Sequence, residues 1–324
     1  MTRTDSERKR AVPPDVPTGP ATGPAAGPAA GPAPGTVAAV LGDLVRSQLD
    51  ALLALDGAVR RDEPDSVHQM RVAARRLRGT LRTHRRSLDR AAAGPLAAEL
   101  RWLGRCLGEA RDSEVVGELL LTRLAELPEA ERPGAMDGRI TAWTAGRYRR
   151  EQNRLVTVLD GSRYAGLLAA LDRFAAAPVR PGRGTAAARP ELRRALKRER
   201  RRVGRRMADV WDLPPGARRD LALHAVRKAA KRARYAAEGA EPVCGGQARR
   251  FARRMKAVQT LLGERQDALL ARWALPLVAA SAHAHGEPGF GYGVLYAGQG
   301  AELARCDAAL PGVWAAAGRW KHDG

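Results

Sequence analysis

Apolar residues recur every three or four positions along most of this chain, the spacing of one face of an α-helix. Val37, Val40, Leu41, Leu44, Leu49, Leu52 and Leu53 open the pattern. Pro64-Asp65-Ser66 breaks this first helix and caps a second, and Gly94-Pro95 ends the second. Leu96, Leu100, Leu103 and Leu107 carry a third. Helical stretches follow from about Met136 to Leu159 and on to Phe174. Pro178 to Pro190, rich in Pro, Gly and Arg, reads as a linker. From Glu191 the helical pattern resumes and runs to the end, with breaks expected at Pro214-Pro215, at Pro242 and from Gly286 to Gly293. β-branched residues are sparse and no strand alternation stands out, so the pattern predicts an all-α protein in two halves. Residues 1–35 stand apart: Gly-Pro pairs recur every fourth residue, which excludes collagen's three-residue repeat and predicts a disordered tail.

The halves resemble each other. Val67-His68-Gln69-Met70-Arg71-Val72-Ala73-Ala74-Arg75-Arg76-Leu77-Arg78 aligns with Leu223-His224-Ala225-Val226-Arg227-Lys228-Ala229-Ala230-Lys231-Arg232-Ala233-Arg234, at an offset of 224 − 68 = 156. Leu107-Gly108-Glu109-Ala110-Arg111-Asp112 aligns with Leu262-Gly263-Glu264-Arg265-Gln266-Asp267, at 262 − 107 = 155. Two matched blocks in one order at nearly one offset indicate an internal duplication.

On a helical projection His68, Arg71, Arg75, Arg78 and Arg82 share an arc of about 80°. Met70, Ala73, Ala74, Leu77 and Leu81 lie opposite. The second block repeats this with His224, Arg227, Lys231 and Arg234 against Val226, Ala229, Ala230 and Ala233. Each stripe places like charges at i,i+3 and i,i+4, which repel by a few tenths of a kcal/mol per pair. Along either segment no acidic residue relieves that repulsion until Glu238. A solvated surface face is the plain alternative to a binding site. The helix that opens the second half adds Arg193, Lys197, Arg200 and Arg201, and Arg147, Arg150 and Arg154 make a shorter basic line.

Composition sharpens this picture. The 324 residues carry 56 Lys and Arg against 35 Asp and Glu, a net charge of +21. Only six of those cations are Lys; base composition can explain that choice of Arg, but it does not explain the excess charge. A polyanionic partner is expected: polyphosphate, nucleic acid or an acidic membrane surface. Arginine suits phosphate because its planar fork grips two oxygens at once. Three widely spaced cysteines, Cys106, Cys244 and Cys306, exclude a disulfide framework and suit a reducing cytosol. The longest uncharged stretch is proline-rich, so no membrane helix is expected, and no signal segment opens the chain.

These motifs resemble the CHAD domain, the conserved histidine α-helical domain, over about residues 36–322. The resemblance rests on V-H-x-x-R-V-x-x-R-R-L-R at Val67 to Arg78, L-H-x-x-R-K-x-x-K-R-x-R-Y at Leu223 to Tyr235, L-G-x-x-R-D at Leu107 to Asp112 and L-L-G-x-x-x-D at Leu261 to Asp267. It implies two four-helix bundles, residues 36–177 and 191–324, related by a pseudo-twofold axis around a basic cavity that binds inorganic polyphosphate. By motif position it makes candidate ligands of His68, Arg71, Arg75, Arg76, Arg78, His224, Arg227, Lys228, Lys231, Arg232 and Arg234, with Arg111 a weaker one. Arg82, Arg193, Lys197 and Arg200 join them as neighbouring cations. Gln266 stands where the first half has Arg111. Nothing before residue 36 fits the triphosphate-processing CYTH domain that many family members carry, so that activity is not expected.

His68 and His224 are surrounded by Arg and Lys, which would repel a metal ion, and neither has an adjacent base to activate it as a nucleophile. A role as hydrogen-bond donor to an anion fits best. His283-x-His285-x-Glu287 reads as a loop, and Trp102, Trp143, Trp211, Trp273, Trp314 and Trp320 read as core residues. The expectation is therefore a non-enzymatic polyphosphate-binding module without cofactor, cytoplasmic and associated with polyphosphate granules. A phosphohydrolase or phosphotransfer enzyme using His68 or His224, and a nucleic-acid binder, are the alternatives.

Overall fold

A computed structural model describes residues 32–318, and among these the chain is all-helical. Ten α-helices follow in order: α1 (Val37–Ala54), α2 (Asp56–Arg60), α3 (Ser66–Thr83), α4 (Arg90–Ala125), α5 (Met136–Asp160), α6 (Ser162–Ala176), α7 (Ala188–Trp211), α8 (Ala217–Cys244), α9 (Gly246–His283) and α10 (Phe290–Gly318). Consecutive long helices pack as hairpins, α3 on α4, α7 on α8, α8 on α9 and α9 on α10, while α3 also meets α8 and α4 meets α9. Most of the proposed tail lies outside the described residues. Where the description begins, the Thr36 hydroxyl accepts the Ala39 N–H at 3.3 Å and caps α1.

The apolar faces read from the sequence are buried. Leu41, Leu52, Met70, Leu77, Leu81, Leu103 and Leu107 are almost fully enclosed, as are Val226, Ala230, Ala233 and Val258. Each large side chain so buried contributes roughly 1.5–3 kcal/mol. These residues form one continuous cluster that draws on both halves of the sequence. A second cluster joins Leu120, Ile140, Leu275, Val278 and Tyr292, where the end of α4 and the start of α5 meet α9 and α10.

Several expected breaks fall elsewhere. The second long helix, α3, ends at Thr83, and Gly94-Pro95 lies inside α4. Pro95 sits near the start of α4, where it costs a single backbone bond, and Gly94 offers no Cβ to clash with the ring. Pro242 lies inside α8, which ends instead at Gly245 with φ 60°. Asp65 stands at the N-cap of α3 in the left-handed region, and its side chain makes no capping bond. The segment read as a linker is tied down along its length. Arg180 N–H donates to Ser87 O at 3.0 Å, Val37 N–H to Ala186 O at 2.8 Å and Ala38 N–H to Gly184 O at 3.0 Å. Helix α7 begins at Ala188, three residues ahead of the expected start. Among the described residues no helix is long and apolar enough to cross a membrane, and all three cysteines are free.

Candidate anion-binding site

The two motif helices, α3 and α8, run side by side in opposite directions. Gly79 meets Arg232, Arg76 lies 5.0 Å from the centre of the Tyr235 ring, and Arg76 reaches Glu238 at 3.4 Å. Residue numbers thus rise on one helix as they fall on the other. Under the offset of 156, Gly79 corresponds to Tyr235 and Arg76 to Arg232, so the first two contacts exchange with each other. A local twofold relation between the helices produces that exchange.

Their basic stripes meet along this seam. Arg75 Nη2 donates to Tyr235 Oη at 3.4 Å, and the guanidinium groups of Arg75, Arg76 and Arg234 lie 6.0, 5.0 and 4.8 Å from the Tyr235 ring centre. Lys231 is at the centre of the cluster. Burial, followed by the charges of Arg75, Arg227, Arg71 and Arg234, pushes its pKa down to about 7, with no carboxylate among those influences. Arg227 is lowered by burial and by Arg75 and Arg71, against an opposing pull from Asp267. Among the described residues Arg75, Arg78, Arg82, Arg227, Lys228 and Lys231 form no ion pair, and the buried Nε atoms of Arg75 and Arg227 have no hydrogen-bond partner. Buried donors of this kind are costly unless satisfied.

Carboxylates do neutralise the margins: Asp112 and Glu199 reach in from α4 and α7, and Glu238 lies on α8 itself. Arg71 pairs with Asp112 at 3.1 Å, Arg232 with Glu199 at 2.7 Å, and Glu238 lies 3.4 Å from Arg76 and 3.3 Å from Arg234. Arg111 is held by Glu114 at 2.7 Å and Glu118 at 3.2 Å.

The two helical hairpins repeat one local geometry. A Cβ on Gly108 would lie 3.6 Å from the Arg71 guanidinium, and one on Gly263 would lie 3.6 Å from that of Arg227. Each motif arginine therefore lies over the glycine of the block on the following helix. The carboxylate at the end of each block, Asp112 or Asp267, acts on the same arginine.

His68, in the first turn of α3, is half-buried; burial and then Arg111 lower its pKa. His224 is lowered by burial and Lys228, and its Nδ1 lies 2.9 Å from Gln266 Oε1. Gln266 thus stands beside His224 as Arg111 stands beside His68, with a neutral amide in place of the charge. A protonated imidazole donates from both ring nitrogens, so that Nε2 can turn to an anion while Nδ1 meets Gln266.

Not every candidate joins the seam. Arg193 donates to Gln247 of α9 at 2.8 Å, and Arg200 borders a groove with Phe251, Met255 and Trp314. Lys197 shares that face of α7 by helical spacing. The opposite face of α7 carries Arg202, whose charge acts on Arg82 together with those of Arg101 and Arg85. Arg85, Arg101 and Arg202 lie outside the stripes read from the sequence. One signal was present: Glu199 on the apolar seam of α7, since a buried carboxylate requires cationic partners.

Other motifs settle as follows. Glu287 is engaged by Arg139, and His285 Nδ1 by Ser281 O at 2.8 Å. Trp102, Trp143 and Trp314 pack against the cores, whereas Trp211 and Trp273 are exposed, contrary to expectation; Trp320 lies outside the described residues. Arg147 lies 5.6 and 5.8 Å from the rings of Trp143 and Trp273.

Comparison with known proteins agrees with this architecture. Two uncharacterized proteins of Mycobacterium tuberculosis, from strains CDC 1551 and H37Rv, are each 37% identical over 266 residues, 81% of this chain and 50% of theirs. The chain thus spans about half the length of these curated relatives. The structure of PptA from Streptomyces chartreusis superposes with a TM-score of 0.69 at 21% identity, covering 86% of this chain and 99% of that one. The CHAD domain from the plant Ricinus communis superposes at 0.66 with 25% identity, covering 86% and 92%. The family model of the CHAD domain matches residues 43–276. With its paired histidine helices and their seam of cations inside that span, the chain belongs to the CHAD domain family.

Proposed function

We propose that this protein is a non-enzymatic binding module for inorganic polyphosphate, held along the α3–α8 seam. One observation carries the reading: Arg75, Arg227 and Lys231 converge without an ion pair among the described residues, and buried guanidinium donors there lack partners. An extended row of phosphates supplies the missing charge and acceptors together, through charge-assisted hydrogen bonds and counterion release. Membership of the CHAD domain family supports a polyphosphate-related role. His68 and His224 act, on this reading, as hydrogen-bond donors to phosphate oxygens. On this reading the chain works in the cytoplasm, at polyphosphate granules.

The test is competition calorimetry with polyphosphate, DNA and RNA of matched charge. Polyphosphate should win at physiological salt and remain full-length on a gel, with or without divalent metal. Equal affinity for all three would favour a nucleic-acid binder or a bulk field. Chain shortening abolished by His68→Gln or His224→Gln would favour the enzyme.

A further inference from the structure

The lobe formed by the end of α4, the start of α5, the end of α9 and the start of α10 presents a surface unlike the rest of the chain. Charged residues make up 28% of the whole, yet from Trp273 to Ala301 the only Asp, Glu, Lys or Arg is Glu287, and Arg139 of α5 engages it. The apolar residues of this segment exceed what its core takes in. On α9, Ala274, Leu275 and Val278 face inward and are buried, while Trp273, Pro276, Leu277 and Ala280 lie on the outward side. Trp273 is 52% exposed and Leu277 44%, and their i,i+4 spacing sets them side by side. The surface continues onto both neighbouring helices. Arg147 of α5 lies 5.6 Å from the Trp143 ring centre and 5.8 Å from that of Trp273, which joins α5 to α9. Arg272 donates to the Tyr296 hydroxyl at 2.8 Å, which joins α9 to α10, where the exposed Ala297 follows. Single exposed apolar residues are ordinary, but a continuous strip across three helices with aromatic residues at its centre marks an interaction surface.

Charge decides what this surface meets. Along α5 the charges divide at Trp143. Arg147 and Arg150 follow it on the same side of the helix and are exposed. Before α5 and in its first turn stand Glu129, Glu131 and Asp137, against Arg132 and the already paired Arg139. Glu131 O packs on the start of α10, 2.7 Å from a Cβ at Gly291, and Asp137 acts on Tyr292 of the same helix. The strip thus runs from a basic end through an apolar middle to an acidic end. Elsewhere a net charge of +21 sets two copies of the chain against each other. A twofold axis through the strip brings two apolar middles together and lays each acidic end on the basic end of the other copy. An anionic membrane would meet both ends in one plane and be repelled by the acidic one.

We infer that this face of α5, α9 and α10 binds a second copy of the chain, in a twofold dimer centred on Trp273 and Leu277. The seam on α3 and α8 takes no part in it, so the dimer stands or falls independently of polyphosphate binding.

Sedimentation equilibrium of the full chain, without polyphosphate and at physiological salt, tests the dimer across a concentration series, with folding checked by circular dichroism. The unmodified chain should pass from monomer to dimer as concentration rises. Trp273→Ser with Leu277→Ser should raise the dissociation constant tenfold or more, because aromatic residues near the centre of an interface dominate its energy. Charge reversal tests the orientation. One variant carries Arg147→Glu and Arg150→Glu, the other Glu129→Arg and Asp137→Arg. Each alone should stay monomeric, since both of its end contacts become repulsive. An equimolar mixture should associate again, since every end contact is then complementary. A chain that is monomeric at all concentrations, association unmoved by the Trp273 and Leu277 changes, or a mixture that fails to associate overturns the inference. Vesicles containing phosphatidylserine provide the competing arm: a monomer that co-sediments with them, and loses this with Trp273 and Leu277, assigns the face to a membrane and overturns the dimer.

Discussion

Glu199 on α7 and Arg232 on α8 form a buried ion pair, with 2.7 Å between Oε2 and Nη2, inside a field of other arginines. Glu199 is 2% exposed, and both Arg232 and Arg202 face it, which offsets the cost of burying a carboxylate. The pair fixes the edge of the cationic seam at the point where α7 meets α8.

Glu199→Gln should therefore act in two opposite directions. Removing one partner of a buried pair costs about 3–5 kcal/mol, and the amide, which still accepts a hydrogen bond, places the loss near the lower end. Polyphosphate affinity should rise, because a negative charge has left the seam. Denaturant unfolding and calorimetry read the two effects separately; unchanged stability would mean that the pair is structurally idle.

The protonation of Lys231 gives binding a pH dependence of definite sign. Its pKa in the free protein is about 7, far below the usual lysine value of 10.5. A bound polyanion raises it, so binding takes up a proton above pH 7. Affinity should be greatest below pH 7 and decline above it by up to tenfold per pH unit. Lys231→Arg should flatten that decline. In the absence of ligand, the unfolded chain binds a proton between pH 7 and 10.5 that the folded protein does not, so Lys231 makes free-protein stability rise with pH across that window. An affinity that is flat from pH 6 to 9 would rule out Lys231 as a contact.

A built site can be separated from bulk charge by reversing four cations in each of two places. Arg71, Arg75, Arg227 and Lys231 line the seam, whereas Arg3, Arg8, Lys9 and Arg10 lie outside the described residues; either set changed to Glu takes the net charge from +21 to 21 − 8 = +13. The seam variant should lose nearly all specific binding, since each charged hydrogen bond is worth roughly 1.5–3 kcal/mol. The N-terminal variant should lose far less. Equal losses in two folded variants would show that only the long-range field acts.

Gly291 tests packing away from the seam. A Cβ there would lie 2.7 Å from Glu131 O and 2.5 Å from Met136 Sδ, where α10 begins against the entry to α5. Gly291→Ala should cost on the order of 1–3 kcal/mol, seen as a lower thermal midpoint, with polyphosphate affinity unchanged. A midpoint equal to that of the unmodified protein would show that the junction relaxes freely.

The helical periodicity was enough to place the core faces of α3 and α8 and to bring Arg71, Arg75, Arg227 and Lys231 onto matched stripes. It reports the direction of a side chain around its own axis and says nothing of which neighbour lies there. Hence Asp112 and Glu199, remote in sequence from the arginines they neutralise, did not register as counter-charges. For the same reason Arg193 and Arg200 were grouped with the seam although they face α9 and α10. Pro95 and Pro242 read as stops because proline removes a backbone bond, but each lies close enough to a helix end for the helix to absorb the loss. Trp211 and Trp273 show the complementary error: residue type alone assigned them to the interior.

The exchange of contacts between Gly79–Arg232 and Arg76–Tyr235 bears on chemical polarity. A linear polyphosphate reads the same from either end, whereas a nucleic-acid strand has distinct 5′ and 3′ directions and a different row of bases each way. Helices related by a local twofold offer nearly the same donors to a chain entering from either side. The seam is thus suited to a polymer without direction, which can bind in two equivalent orientations and slide between registers without reversing. Gln266, together with Lys228, Lys231, Tyr235 and Glu238 where the first half has Val72, Arg75, Gly79 and Arg82, keeps the two ends distinguishable.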